Sequence, residues 1–194
     1  MRFARFRALA LGLGVIASAS GCRNEVPLPS LFAVPASVLT SDRGTSVDLS
    51  QFHERVVVYD FIFTSCVGTC PLMTRSMATL ANEVASDDVR FVSISVDPER
   101  DTPEVLHAYA QRAGKDERWI FLTGEREAIH RLSVEGFKLA AGDPGEMPGA
   151  EAVLHSNRFA LADRRGMIRG YYDGTSAEEM ETLVRDIRTL VRER

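Results

Sequence analysis

Cysteine is scarce in this chain, positive charge is not in excess, and no apolar run is long. Three cysteines in 194 residues are too few for a disulfide scaffold. A chain of this length with 45% hydrophobic content can bury a sizeable core without cross-links or a structural metal. The net charge is −4, and the first 21 residues carry Arg2, Arg5 and Arg7 with no acid, so removing them makes the remainder more negative. That balance excludes the basic patch a nucleic-acid partner requires. Neither an internal repeat nor a low-complexity tract is present, which leaves one globular domain and an N-terminal addition. The apolar run over 8–17 falls short of the roughly 20 residues that span a bilayer.

What is present at the N-terminus has the parts of an export signal: three arginines, the short apolar run, then Ser18-Ala19-Ser20-Gly21 before Cys22. Gly21-Cys22 resembles the bacterial lipobox, in which the cysteine is lipidated and becomes the mature N-terminus; Ala19 stands where a larger aliphatic residue is commoner. The expected organisation is a lipoprotein-type signal peptide over 1–21, a lipid-anchored linker over 22–35 with three prolines and no periodicity, and a folded domain over 36–194. The domain is then exported and held at the membrane, in the periplasm or otherwise outside the cytoplasmic membrane. Ordinary cleavage nearby and an uncleaved anchor are the competing readings.

Within the domain, 37–49 reads as a hairpin turning at Arg43-Gly44. Residues 56–63 form a near-continuous β-branched and aromatic run, the pattern of a strand buried on both faces. Pro71 opens a helix to about residue 85, with Leu72, Met73, Met77, Leu80 and Val84 at helical spacing. A strand is expected over 90–96 and a helix over 103–112, capped by Asp101 or Thr102 and stopped at Gly114. A strand over 119–122, a helix over 125–134 and a strand over 137–140 follow, then a Gly/Pro-rich loop over 141–152. Strands over 158–162 and 167–172 flank the turn Asp163-Arg164-Arg165-Gly166, and an amphipathic helix over 177–192 closes the chain. The order predicts a three-layer α/β domain: a central mixed β-sheet flanked by helices, ending in a β-hairpin and helix, compatible with a thioredoxin-like fold.

With Cys22 assigned to lipid, Cys66 and Cys70 remain, four apart at the junction of a buried strand and a helix. The first turn of a helix offers unpaired N–H groups and the positive end of its dipole, which favour thiolate over thiol. Thiolates are the nucleophiles of disulfide exchange and the soft ligands that copper(I) prefers. Dithiol oxidoreductases of this fold separate their cysteines by two residues; here three intervene, and the wider loop with Gly68 lets two sulfurs converge on one ion. Among the histidines, His53 reads as a solvated loop residue, and His107 and His130 as helix-surface residues. His155 sits at a loop-to-strand boundary, where functional groups concentrate. Asp97 either caps the Asp97-Pro98 turn or lies near the cysteines and adds charge there. Met73 and Met77 follow the apolar stripe and read as core, and Tyr171-Tyr172 as an edge strand or surface.

The segment Phe61-Ile62-Phe63-Thr64-Ser65-Cys66-Val67-Gly68-Thr69-Cys70-Pro71 resembles the signature of the Sco/SenC family of copper proteins. Three further blocks follow in order: Ser95-Val96-Asp97-Pro98-Glu99-Arg100-Asp101-Thr102-Pro103-Glu104, then Phe121-Leu122-Thr123-Gly124, then Leu154-His155-Ser156 with Leu161-Ala162-Asp163-Arg164-Arg165-Gly166. The resemblance covers residues 31–194. It implies a thioredoxin-like fold, copper as Cu(I) or Cu(II) bound by Cys66, Cys70 and His155, and a role in assembling the copper centre of a respiratory oxidase. The implied partners are the oxidase's copper-bearing subunit or another copper chaperone. Val67-Gly68-Thr69 and Leu154 depart from the commoner proline and acidic residues at those places. A metallochaperone consumes nothing and is not an enzyme. The alternatives are a thiol–disulfide reductase, with Cys66 as nucleophile and Cys70 as resolving thiol, and a copper or redox sensor.

Overall fold

The computed structural model describes residues 27–139 and 157–193. Strands β1 (Val38–Ser41) and β2 (Ser46–Asp48) form the first hairpin, with Gly44 at φ 74° in its turn. Then come β3 (Val56–Ile62), α1 (Cys70–Glu83), β4 (Val89–Ser95), α2 (Pro103–Ala113), β5 (Trp119–Thr123) and α3 (Arg126–Arg131). From residue 158 onward come β6 (Arg158–Ala162), β7 (Ile168–Asp173) and α4 (Ala177–Arg192). The strands make one sheet in the order β2-β1-β5-β4-β3-β6-β7. Its centre, β5-β4-β3, is parallel, and the flanking pairings are antiparallel. This is the mixed sheet and terminal hairpin-plus-helix of a thioredoxin-like fold, as the sequence pattern predicts.

Alternation along β3 divides the core. Val56, Val58 and Ile62 face α1, α2 and α4, meeting Met73, Met77, Leu106 and Leu183. Val57, Tyr59 and Phe61 face the other way, toward Leu132 and Phe137. Fully burying side chains of this size contributes about 2 kcal/mol each, so Met73 and Met77, 1% and 0% exposed, hold α1 to the sheet. Thr102 caps α2, accepting from the Val105 amide, and Gly114 ends it at φ 71°.

One expected element does not form. Residues 137–139 are not a strand: α3 runs into a π turn over Leu132–Gly136, and the Phe137 amide donates to the Leu132 carbonyl at 2.8 Å. Leu139 donates to Ser133 at 3.1 Å, and Lys138 turns left-handed at φ 52°. With those amides spent on helix carbonyls, no ladder can start. The alternating Phe137 and Leu139 imitate a strand because both are buried, Phe137 edge-on to Tyr59 and Phe61 at 5.0 and 5.2 Å. Gly136 is required here, since a Cβ on it would meet Pro35 Cγ at 2.5 Å.

The N-terminal segment is strapped to the hairpin. Leu31 donates to the Ile168 carbonyl at 2.9 Å, Ile168 to Phe32 at 2.8 Å, and Val34 to Gly166 at 2.7 Å. The Arg169 guanidinium donates to the Leu28 and Pro29 carbonyls at 2.7 and 2.6 Å. It also pairs with Asp163 at 2.9 Å and Glu193 at 3.5 Å. Because Val57, Ala162 and Ile168 lie side by side in register, the strap sits at the N-terminal end of β3. The other end of β3 leads to Cys66.

Candidate functional site

At the C-terminal end of β3 the chain leaves the sheet through a bend that carries Cys66, half-buried, and Val67, fully exposed, before Cys70 opens α1 at 5% exposure. Both are free thiols. A Cβ placed on Gly68 would touch Cys66 Sγ at 3.8 Å, so the loop folds that sulfur back over itself. Helix α1 has no side-chain cap on its N-terminus, and its amides are left for the sulfur. Burial pushes the Cys66 thiol up, but hydrogen bonds from the Cys70 thiol and from the Cys70, Gly68 and Thr69 amides more than offset it, leaving the group lowered. Cys70 moves the other way, to about 12, through burial first and then through donating to Cys66 and facing its charge. The pair therefore consists of one half-buried sulfur biased to thiolate and one buried thiol that holds its proton.

Two buried acids support this arrangement. Asp101, 0% exposed, accepts from the Thr64 amide at 3.0 Å, the Thr64 hydroxyl at 2.5 Å and the Ser95 hydroxyl at 2.5 Å. It thereby ties the bend before Cys66 to the end of β4. The sequence marks it as a possible helix cap, but Thr102 takes that role and Asp101 becomes a clamp. Asp60, also 0% exposed, shares the face of Val58 and Ile62 under the helices, and neither carboxyl oxygen has a hydrogen-bond partner. Burial pushes its carboxyl up to about 7, with the Ser93 hydroxyl opposite it in register offsetting only part of the penalty. Charge on Asp60 in turn raises Cys70 and Tyr109.

Asp97 lies at the end of β4 and is 9% exposed. Its carboxylate meets Arg100 at 3.4 Å, and its carbonyl accepts from the Arg100 and Asp101 amides. His53 and His130 are exposed, and His107 Nδ1 meets Asp42 at 3.1 Å, beside Lys115. Tyr171 and Tyr172 stand on β7, the edge of the sheet, and the Tyr172 hydroxyl donates to Asp186 at 2.7 Å. Among the described residues no three His, Cys, Asp or Glu side chains gather closely enough to hold a metal ion. Cys22 and His155 lie outside the described residues. The two cysteines alone supply a soft, paired sulfur donor set at one end of the sheet, suited to copper(I) and equally to reversible disulfide formation. Among the described residues no helix is long and apolar enough to cross a membrane.

The family model described as SCO1/SenC matches residues 34–192. A SCO1/SenC family lipoprotein from Bacillus anthracis str. Ames has a crystal structure that superposes with a TM-score of 0.74 at 34% identity, covering 83% of this chain and 96% of that one. BsSco, a member of the Sco family of cytochrome c oxidase assembly proteins in which a disulfide switch has been identified, matches at 28% identity with a TM-score of 0.73, over 87% of this chain and 99% of its own. A protein of Stutzerimonas stutzeri whose name proposes copper binding is 31% identical over 153 residues, 76% of this chain and 72% of that protein.

Proposed function

This chain belongs to the SCO1/SenC family, and from that premise we propose that it is a membrane-tethered metallochaperone that carries copper to the copper centre of a respiratory oxidase. The observation that carries the reading is the unlike pair of free thiols at the head of α1. Cys66, the more accessible of the two and biased to thiolate, meets incoming copper(I) first. Cys70 then closes on it and gives up its proton, and His155 supplies a third, harder donor that extends the site to copper(II). Delivery is ligand exchange: a partner thiolate or imidazole replaces one protein ligand at a time, beginning at the accessible Cys66. The exchange partner is the copper-bearing subunit of the oxidase or another copper chaperone. Asp97 adds negative charge at the end of β4 without ligating. Lipid on Cys22 holds the domain outside the cytoplasmic membrane, a reading supported by the lipoprotein relative.

The test is copper content of the full chain in detergent, reduced, loaded without oxygen and desalted. One copper per chain is expected, lost in Cys66→Ser or Cys70→Ser and retained more weakly, without copper(II) binding, in His155→Ala. Copper retained undiminished by the double cysteine variant sinks the proposal. A second reading draws on the same asymmetry and on the disulfide switch of BsSco. The Cys66 thiolate attacks a partner disulfide, forming a mixed disulfide and expelling one partner thiolate. Cys70, deprotonating, attacks the Cys66 sulfur and expels the second, so the partner gains two electrons and Cys66–Cys70 is oxidised. That chemistry survives loss of His155, whereas copper(II) binding does not.

A further inference from the structure

Helices α1 and α2 lie on the same side of the sheet and leave a cleft of about 270 Å³ lined by Pro71, Thr74, Arg75, Tyr109, Arg112 and Ala113. Its floor is fixed. The Tyr109 hydroxyl is hydrogen-bonded to Thr74 Oγ1 at 2.7 Å, and its ring stands edge-on to Phe121 at 6.0 Å. The Arg112 guanidinium lies 5.9 Å from the centre of that ring. Arg75 and Arg112 are both exposed, and among the described residues neither has a carboxylate partner. Arg100 and Arg126, by contrast, pair with Asp97 and Glu99. Pro71 lines the cleft and follows Cys70 directly, so the cleft begins next to the thiols.

Two guanidinium groups without a carboxylate partner among the described residues, flanking an apolar slot, match a ligand with carboxylates around an apolar side chain. We propose that this cleft is the docking site for an acidic segment of a partner polypeptide, which seats an apolar side chain over Tyr109 and carboxylates on Arg75 and Arg112 while the partner's own exchanging residue reaches Cys66. The inference rests on the reading that the thiols exchange metal or electrons with a protein. An anionic lipid headgroup offers similar charge, but the strapped N-terminal segment lies at the opposite end of β3 from the thiols, so a tether there keeps the bilayer away from this cleft.

The test uses the isotope-labelled full chain in a zwitterionic detergent, titrated with an acetylated Glu-Phe-Glu-Glu peptide and its all-glutamine counterpart, followed by amide chemical shifts. The acidic peptide is expected to perturb Thr74, Arg75, Tyr109, Arg112 and Ala113. Its affinity should fall at least tenfold with the glutamine peptide or in R75E/R112E, and should persist in Cys66→Ser/Cys70→Ser. Equal affinity for the two peptides, shifts confined to another face, or no loss in R75E/R112E overturns the proposal. So does arginine-dependent binding to phosphatidylglycerol vesicles with none to the peptide. Copper loading measured on the same R75E/R112E sample should match wild type. If the wild type takes up no copper yet binds the acidic peptide in the cleft, the metal reading fails and the docking site stands.

Discussion

Replacing Asp60 with asparagine should make the protein more stable at neutral and alkaline pH and remove a specific pH dependence. The carboxyl is fully buried with no hydrogen-bond partner, and its folded value of about 7 compares with about 3.9 for an aspartate in an unfolded chain. Between those two values the folded state holds a proton that the unfolded state has released. Stability is therefore fully present below about pH 4, falls as pH rises toward 7, and levels off above it. One proton over about three units corresponds to about 4 kcal/mol, a slope of about 1.4 kcal/mol per unit. Asparagine keeps the shape without the charge, so the variant should lie within about 1 kcal/mol of wild type at pH 4.5 and exceed it by several kcal/mol at pH 8. The assay is urea unfolding of both proteins at pH 4.5, 6 and 8 under reducing conditions. Only the difference between the two curves matters, because acids with lowered values such as Asp88 and Asp173 act at lower pH in both. Parallel curves, with the same offset at every pH, would refute the reasoning. They would mean that water or a rearranged Ser93 hydroxyl satisfies the carboxylate after all.

Other outcomes follow from the same geometry. Alkylation with iodoacetamide should modify Cys66 first, with a rate midpoint below that of an ordinary thiol, and Cys70→Ala should raise that midpoint by removing a hydrogen bond to the thiolate; equal reactivity of the two thiols in peptide mapping contradicts this. Asp101→Ala should cost about 3 kcal/mol in urea unfolding by stranding the Thr64 and Ser95 hydroxyls, and should broaden the amide signals of the Cys66 loop; an unchanged loop rules out the clamp. Arg169→Ala should cost about 3 kcal/mol by removing the buried partner of Asp163, which keeps only the exposed Arg165 at 3.8 Å and two backbone amides, and should speed hydrogen exchange at Leu31 and Val34; protection retained there argues against the strap.

Much of this was legible in the sequence, and the reasons it was not legible everywhere are local. The near-continuous apolar run over β3 identified a doubly buried strand, and Pro71 and Gly114 marked helix boundaries that the structure keeps within a residue or two. The Cys66–Cys70 spacing at a strand-to-helix junction located the thiols. Periodicity failed at Phe137 and Leu139, where burial alternates for reasons of packing while the backbone completes a π turn. Asp60 carried a signal that went unused: an acid inside a run buried on both faces is anomalous in itself. Which face it occupies, and that it lies under α1 with no partner, depends on the register with β4 and on helix packing. Asp101 shows the opposite limit, since a carboxylate two residues before a proline reads as a cap until the Thr64 bend folds against it. The α1–α2 cleft joins residues about 35 apart in sequence, and no single window contains it.

Under the proposed tether, the Arg169 strap also sets which end of the domain faces away from the membrane. It gathers Leu28, Pro29 and Glu193 at one end of the sheet, and the seven residues of β3, about 23 Å of strand, separate that end from the bend that carries Cys66. With the lipid proposed on Cys22 in place, the chain would diffuse in two dimensions with its reactive end outward and search a layer above the membrane. Recipients whose acceptor site lies in that layer would be met at high local concentration, and sites flush with the bilayer would be bypassed.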